Sequence, residues 1–233
     1  LLAWLLFAKE RRVLRAKGDR LHRVRHVAET LALSEPPSPE LWLRPEHEMA
    51  ALEHLPNGVP VLALGPTANW GGKQWPIERF AALARRLTAS DGPLPNARVA
   101  VFGAANERSA AQPLLDDLPS EQVIDLIGRI ELPVVLACLR RCDLFVGNDS
   151  GLMHMAAAAP IPTLGLFGPS REELYSPWGE MAAAVRTDRS FDDIRNDPAY
   201  DYRKQDSWMI TLPVEKAEAA ARDLLTRVGR ATG

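Results

Sequence analysis

Most side chains of this sequence that could do chemistry sit in a few short turns. Gly147–Ala158, GNDSGLMHMAAA, runs from the apolar stretch DLFVG into Asn148, Asp149, Ser150 and Gly151, then into small residues that carry His154. The pattern predicts a strand, a tight polar turn and a helix N-terminus. Such a junction aims backbone N–H groups and the positive end of a helix dipole at an anion, so it points to a phosphate-bearing ligand. Asp149 and Ser150 are also good N-caps, and capping is compatible with ligand binding. Gly151 is unusual for a helix start that needs only a cap, and implies close approach by a ligand. His154 lies one turn in from Ser150 on the same face. On an Ala-rich helix it fits a structural role as well as a binding one.

Gly65–Trp75, GPTANWGGKQW, brings together Thr67, Asn69, Gly71, Gly72 and Lys73. Glycines let the backbone approach an oxyanion, and Lys supplies a point charge. The segment does not match the Walker pattern, in which Lys precedes Ser/Thr and opens a helix. An anion-binding turn and an ordinary loop leading to Trp75-Pro76 both fit it. Glu107 closes the turn Gly103–Glu107, GAANE, at a predicted helix start. There it can offset the helix dipole or grip ribose hydroxyls, as acidic residues do near bound nucleotides. A fourth polar turn is Gly168–Ser170, GPS.

The elements that must position these turns alternate regularly. Strands are expected at Val59–Gly65, Ala97–Gly103, Gln122–Leu126, Asp143–Gly147, Pro162–Phe167 and Ala182–Arg186. Helices are expected at Pro76–Ser90, Asn106–Leu118, Leu132–Arg141, Gly151–Ala159 and Pro213–Val228. Short apolar strands between helices predict βαβ units and a parallel sheet covered on both faces. In a doubly wound sheet, ligands bind at the carboxyl ends of the strands, and all four polar turns fall on that edge. Residues 187–209 are polar and irregular and read as a surface excursion. Residues 34–58 are Pro-rich and polar, and read as a linker followed by a short helix.

Composition fits a globular protein: 233 residues, 46% apolar, 25% charged and net charge −2. That balance gives no global basic signal for nucleic acid. Residues 9–25 are the exception, with eight Lys/Arg against Glu10 and Asp19. A solvated helix face and contact with an anionic membrane surface both explain them. The opening LLAWLLFA is apolar but too short to span a bilayer, and reads as a core segment of something that began earlier. Cys138 and Cys142 lie four apart in an apolar helical pattern and read as two reduced thiols on one helix face. No GxGxxG, GxSxG, HExxH or CxxC motif is present, which argues against an NAD(P) dehydrogenase.

In order, these turns resemble the ADP-heptose:lipopolysaccharide heptosyltransferases, the inverting glycosyltransferase family 9 with the GT-B fold, and especially the heptosyltransferase II-like members. The resemblance covers roughly Val59 to Val228. It is strongest at LGPTANWGGKQWPIERFAALARRL, VFGAANERSAA and VGNDSGLMHMAAAAPIPTLGLFGPS. It implies an α/β, Rossmann-like doubly wound sheet that forms the C-terminal domain of a GT-B enzyme. On that basis residues 1–33 are a remnant of the N-terminal acceptor domain, 34–58 a linker and 59–233 the nucleotide-sugar-binding domain.

By matching positions, the resemblance implies that Thr67 and Lys73 hold the donor diphosphate and that Glu107 binds the ribose. The Ile130 backbone meets the adenine, and Asp149 hydrogen-bonds the donor sugar. Ser150 and Gly151 present N–H groups to the phosphates, and His154 supports that turn. Lys73, Ser150 and Gly151 are expected to stabilise the leaving diphosphate, with no metal and no cofactor beyond the donor ADP-heptose. The family's catalytic base is an Asp in a Gly-Asp turn near the start of its N-terminal domain. Gly18-Asp19 matches only as a dipeptide, so the base is expected upstream and the 233-residue chain is expected to bind donor without transferring sugar. The implied partners are a nucleotide-sugar donor and a lipopolysaccharide core acceptor, not nucleic acid. The implied location is cytoplasmic, at the cytoplasmic face of the inner membrane, with peripheral membrane contact left open. A non-catalytic nucleotide-sugar-binding module, or a same-fold transferase using another donor, remains an alternative.

Overall fold

Runs of Val, Leu, Ala and Phe too short for helices form strands, and the amphipathic stretches between them form the covering helices. The structure, a computed structural model, describes residues 12–14, 21–55 and 57–231. LLAWLLFA, Gly18-Asp19 and much of the basic stretch 9–25 lie outside the described residues. Two helices come first, α1 (Arg23–Thr30) and α2 (Pro45–His54). Then follow β1 (Val61–Gly65), α3 (Ile77–Thr88), β2 (Arg98–Val101), α4 (Arg108–Asp117), β3 (Val123–Asp125) and α5 (Leu132–Leu139). The chain continues through β4 (Leu144–Asn148), α6 (Gly151–Ala158), β5 (Thr163–Phe167), α7 (Glu172–Tyr175), β6 (Ala182–Arg186), α8 (Phe191–Arg195) and α9 (Val214–Ala231).

The six strands form one parallel sheet in the order β3-β2-β1-β4-β5-β6. Chain order reverses between β1 and β4, and a doubly wound sheet opens its ligand crevice at such a reversal. The two-residue period of a strand sorts its side chains onto opposite faces. Leu62, Leu64, Val99, Val101, Leu144 and Val146 point one way, onto Phe80, Leu83, Leu87, Leu114 and Leu224 of α3, α4 and α9. Val61, Ala63, Ala100, Phe102 and Phe145 point the other way, onto Leu55, Leu136, Leu139, Met153 and Ala156 near or on α2, α5 and α6. Both faces are dry, so the strands read as continuous apolar runs.

Two local features differ from the sequence-based expectation. Residues 187–209 are more than an excursion: they include α8, and their far end turns inward to bury Met209 completely. Cys142 lies beyond the end of α5 rather than on it, although its Sγ still reaches the Cys138 carbonyl at 3.3 Å. Both thiols are free and buried, and burial pushes Cys138 up to about 11 and Cys142 well above its ordinary value. Neither is a thiolate at neutral pH. The short helix expected within residues 34–58 is α2, whose Ala51 is fully buried against the second face of the sheet. Among the described residues, no helix is long and apolar enough to cross a membrane.

Candidate functional site

β1, β2, β3 and β4 end on one edge of the sheet, and the segments that follow them surround a cleft of about 1080 Å³. β1 leads to Thr67, Asn69 and Lys73; β2 leads to Gly103 and Glu107; β3 leads to Gly128, Ile130 and Leu132; β4 leads to Asp149–His154. All eight residues singled out from the sequence (Thr67, Lys73, Glu107, Ile130, Asp149, Ser150, Gly151 and His154) line this one cleft. The fourth polar turn does not join them. Gly168–Ser170 stands on the same edge but outside the lining, because Met209 packs against Gly168 and Arg186 donates to the Gly168 carbonyl at 2.9 Å.

The loop after β1 and the end of β4 are tied through Asn148. Its buried side chain accepts from the Trp75 N–H at 3.0 Å and donates to the Pro66 carbonyl at 2.8 Å. A buried amide with both ends bonded is rigid, because freeing either end would strand a polar atom. Asn148 thus sets the spacing between the Thr67–Lys73 loop and the Asp149–Gly151 turn. Lys73 Nζ donates to Asp149 Oδ2 at 2.7 Å across that gap, with the side chains 27% and 8% exposed.

The floor beneath this pair has unused hydrogen-bonding capacity. Thr67 is 2% exposed, and its Oγ1 has no partner within the chain. Ser150 is the N-cap of α6, yet its buried Oγ makes no capping bond and has no partner either. Buried polar groups are normally satisfied, so these two hydroxyls are left with bonding capacity for whatever occupies the cleft. Ser170 and Thr211 also carry orphan hydroxyls, but outside the cleft lining. At Gly151, a Cβ would meet no atom within 4 Å, so the residue leaves open space at the positive end of α6.

Glu107 serves its own helix start and the cleft together. Its Oε2 accepts from the Ala104 N–H at 2.8 Å, and the residue also lines the cleft. His154 is exposed toward the cleft, while surrounding protein still desolvates it and lowers its pKa; Asp149 opposes that shift, and His22 and Lys73 add to it. His22 stands behind His154 across a smaller cavity, with Nε2 donating to the Ser176 carbonyl at 2.9 Å and Nδ1 accepting from the Val24 N–H at 3.2 Å. That pair of bonds requires the neutral ring, and burial lowers the His22 pKa. Among the described residues, no group of three His, Cys, Asp or Glu could hold a metal ion.

One wall of the cleft has no polar signature in the sequence. Ile130, Leu132, Val135, Leu152 and Met155 form it, and Leu132 is 67% exposed. Nothing in LPVVLACL separates a residue facing a cleft from one facing the core; only the helix orientation does. The cleft therefore combines a positive charge at Lys73 and the helix N-terminus at Gly151 with apolar surface from these five residues.

The sequence profile of glycosyltransferase family 9 (heptosyltransferase) matches residues 4–197. Lipopolysaccharide heptosyltransferase 2 of Salmonella typhimurium is 29% identical over 211 residues, 85% of this chain and 58% of that protein. The solved structure of Escherichia coli ADP-heptose lipopolysaccharide heptosyltransferase II superposes with a TM-score of 0.68 at 24% identity, covering 87% of this chain and 57% of that one. A family 9 glycosyltransferase from Veillonella parvula superposes with a TM-score of 0.76 at 23% identity, covering 91% of this chain and 62% of that one. The chain spans about half the length of the curated relatives it matches. The likeness to the two solved structures shows the same parallel α/β architecture as the six-stranded sheet.

Proposed function

We propose, because the chain belongs to glycosyltransferase family 9, that its cleft holds the ADP-heptose donor for an inverting transfer of heptose to a lipopolysaccharide inner-core acceptor. The observation that carries this reading is the pair of orphan hydroxyls, Thr67 Oγ1 and Ser150 Oγ, beside Lys73 and the open N-terminus at Gly151. That set supplies two neutral donors, one cation and a helix dipole within one pocket, which suits a diphosphate. The apolar wall from Ile130 to Met155 takes the adenine, and the Glu107 carboxylate accepts from ribose hydroxyls. Asp149 meets the hydroxyls of the donor sugar, and His154 supports the turn.

Displacement at the anomeric carbon builds negative charge on the departing diphosphate. Lys73, the Ser150 hydroxyl and the Gly151 N–H stand ready for that charge, and groups already in place need no reorganisation as it develops. The step also needs a base for the acceptor hydroxyl. None of the eight cleft residues is given that role. The acceptor is a membrane-borne glycolipid, which puts the protein in the cytoplasm at the inner face of the inner membrane. The basic stretch 9–25 suits contact with anionic headgroups there, although Arg23 and Arg25 already lie against Tyr175 and Trp178.

Calorimetric titration with ADP, UDP and GDP tests the donor assignment. ADP is expected to bind most tightly. Preference for UDP or GDP would assign the cleft to a different nucleotide sugar and overturn the heptose reading.

A further inference from the structure

Lys73 can meet a diphosphate only if the loop that carries it is held in place. Asn148 holds the two ends of that loop, at Pro66 and Trp75, and Gln74 Nε2 donates to the Ala68 carbonyl at 2.8 Å, but neither contact reaches the turn at Gly71. The single 3-10 turn Gly71–Lys73 starts from Trp70 without a side-chain cap. The missing partner arrives from 134 residues further along: the Gly71 N–H donates to Gln205 Oε1 at 2.7 Å. Three further bonds join the same two segments. Trp70 Nε1 donates to the Lys204 carbonyl at 2.7 Å, Ser207 Oγ to the Gln74 carbonyl at 2.6 Å, and the Trp208 N–H to the Gly72 carbonyl at 3.0 Å. Residues 204–208 therefore lie against residues 70–74, held by one backbone–backbone and three side-chain–backbone bonds.

The two glycines of the loop are explained by this contact. A Cβ on Gly71 would stand 2.2 Å from the Gln205 carbonyl oxygen, and one on Gly72 would stand 2.4 Å from the Trp70 ring. Both glycines are buried and neither lines the cleft. Their service is to let the 204–208 segment and the Trp70 ring close onto the loop, not to admit an oxyanion. Tyr200 adds to the same cluster, with its ring edge-on to Trp70 at 6.0 Å and tilted on Trp208 at 5.6 Å.

We propose that residues 204–208 are a strap that positions Lys73, and that Gln205 is its positioning residue. The strap touches neither the cleft nor the reacting atoms. It sets where the Lys73 ammonium stands by fixing the first N–H of the turn that ends on it. The proposal rests on the donor-site reading of the cleft. It adds that affinity for the diphosphate portion of a ligand depends on a segment that follows β6.

Gln205 is exposed, so its truncation leaves no core cavity. In Gln205→Ala, ADP affinity is expected to fall about fivefold, the scale of one neutral hydrogen bond, while adenosine affinity is unchanged. Amide exchange at residues 71–74 is expected to speed up in the ligand-free variant. Gln205→Glu keeps an acceptor oxygen for the Gly71 N–H and is expected to restore slow exchange. The proposal is overturned if ADP affinity is unchanged, if adenosine weakens equally, or if exchange at 71–74 stays the same. If the unaltered chain binds no ADP, the donor-site reading falls and the strap's role with it. ADP binding that Gln205→Ala leaves intact removes only the strap.

Discussion

Lys73→Ala is the sharpest test of the cleft, because the structure gives Lys73 a partner already. Its ammonium lies 2.7 Å from Asp149 Oδ2, and the two side chains are 27% and 8% exposed. The pair falls between an exposed bridge, worth about 0–1 kcal/mol, and a buried one, which costs about 3–5 kcal/mol to break. Folding stability is expected to drop by about 1–2 kcal/mol on this scale. Loss of a charge-assisted contact costs about 1.5–3 kcal/mol, which is a rise of ~10- to ~150-fold in the ADP Kd. The upper end applies here, because the deletion also leaves the Asp149 carboxylate facing the diphosphate. ADP lacks the sugar, so Asp149→Asn alone is expected to hold or tighten ADP binding by freeing Lys73. Adding it to Lys73→Ala restores part of the lost affinity, and the cycle measures the coupling directly. Calorimetry with ADP and adenosine reads each term. An ADP Kd within twofold of the unaltered chain, or equal losses for ADP and adenosine, would refute the diphosphate role of Lys73.

Thr67→Val and Ser150→Ala should separate binding from folding. Each removes a hydroxyl that has no partner, so thermal unfolding is expected to move little or upward, whereas capping serines usually cost about 1 kcal/mol when removed. ADP affinity should nevertheless weaken in both; a marked loss of stability with unchanged ADP binding would show that the hydroxyls serve the fold. His154 and His22 both have lowered pKa values, so the unfolded chain binds protons first as pH falls below about 6.5, and stability is lost between that value and the lower folded pKa. Histidine NMR titration should place both rings below the ordinary value in the free chain. It should also show ADP raising His154, because a diphosphate favours the charged ring; a downward move on ADP addition would contradict the site. Gly128 lines the cleft at φ +65°, with an added Cβ only 2.5 Å from Ala105 Cα. Gly128→Ala is therefore expected to cost about 1–3 kcal/mol from the left-handed backbone, with more from the clash, and denaturant titration with an unshifted midpoint would refute that.

The alternation of strands and helices was legible because a parallel sheet buried on both faces demands unbroken apolar runs, as in VLALG, LFVGN and TLGLF. The polar turn after β4 was legible for a similar reason, since strand, Asp-Ser-Gly and helix follow within a dozen residues. The role of Gly71 and Gly72 was not. Their sequence context fits an oxyanion loop, and only residues 204–208, far along the chain, show what the missing side chains make room for. Asn148 was equally silent: its two bonds run to Trp75 and Pro66, and no spacing rule links those positions. The apolar wall at Leu132 and Leu152 looked like core, because hydrophobicity does not say which neighbour a side chain will meet.

By itself the sequence determined the element order, the parallel sheet and seven polar or small residues of the cleft edge, because each depends on local periodicity and on chemistry carried by adjacent residues; Ile130 came from the family resemblance alone. The tertiary structure decided which turns share a cleft. It paired Lys73 with Asp149, left Thr67 and Ser150 without partners, and shut Gly168–Ser170 out behind Met209. Those outcomes depend on distances between segments tens of residues apart, and only the order β3-β2-β1-β4-β5-β6 and the packing of its covering helices set them.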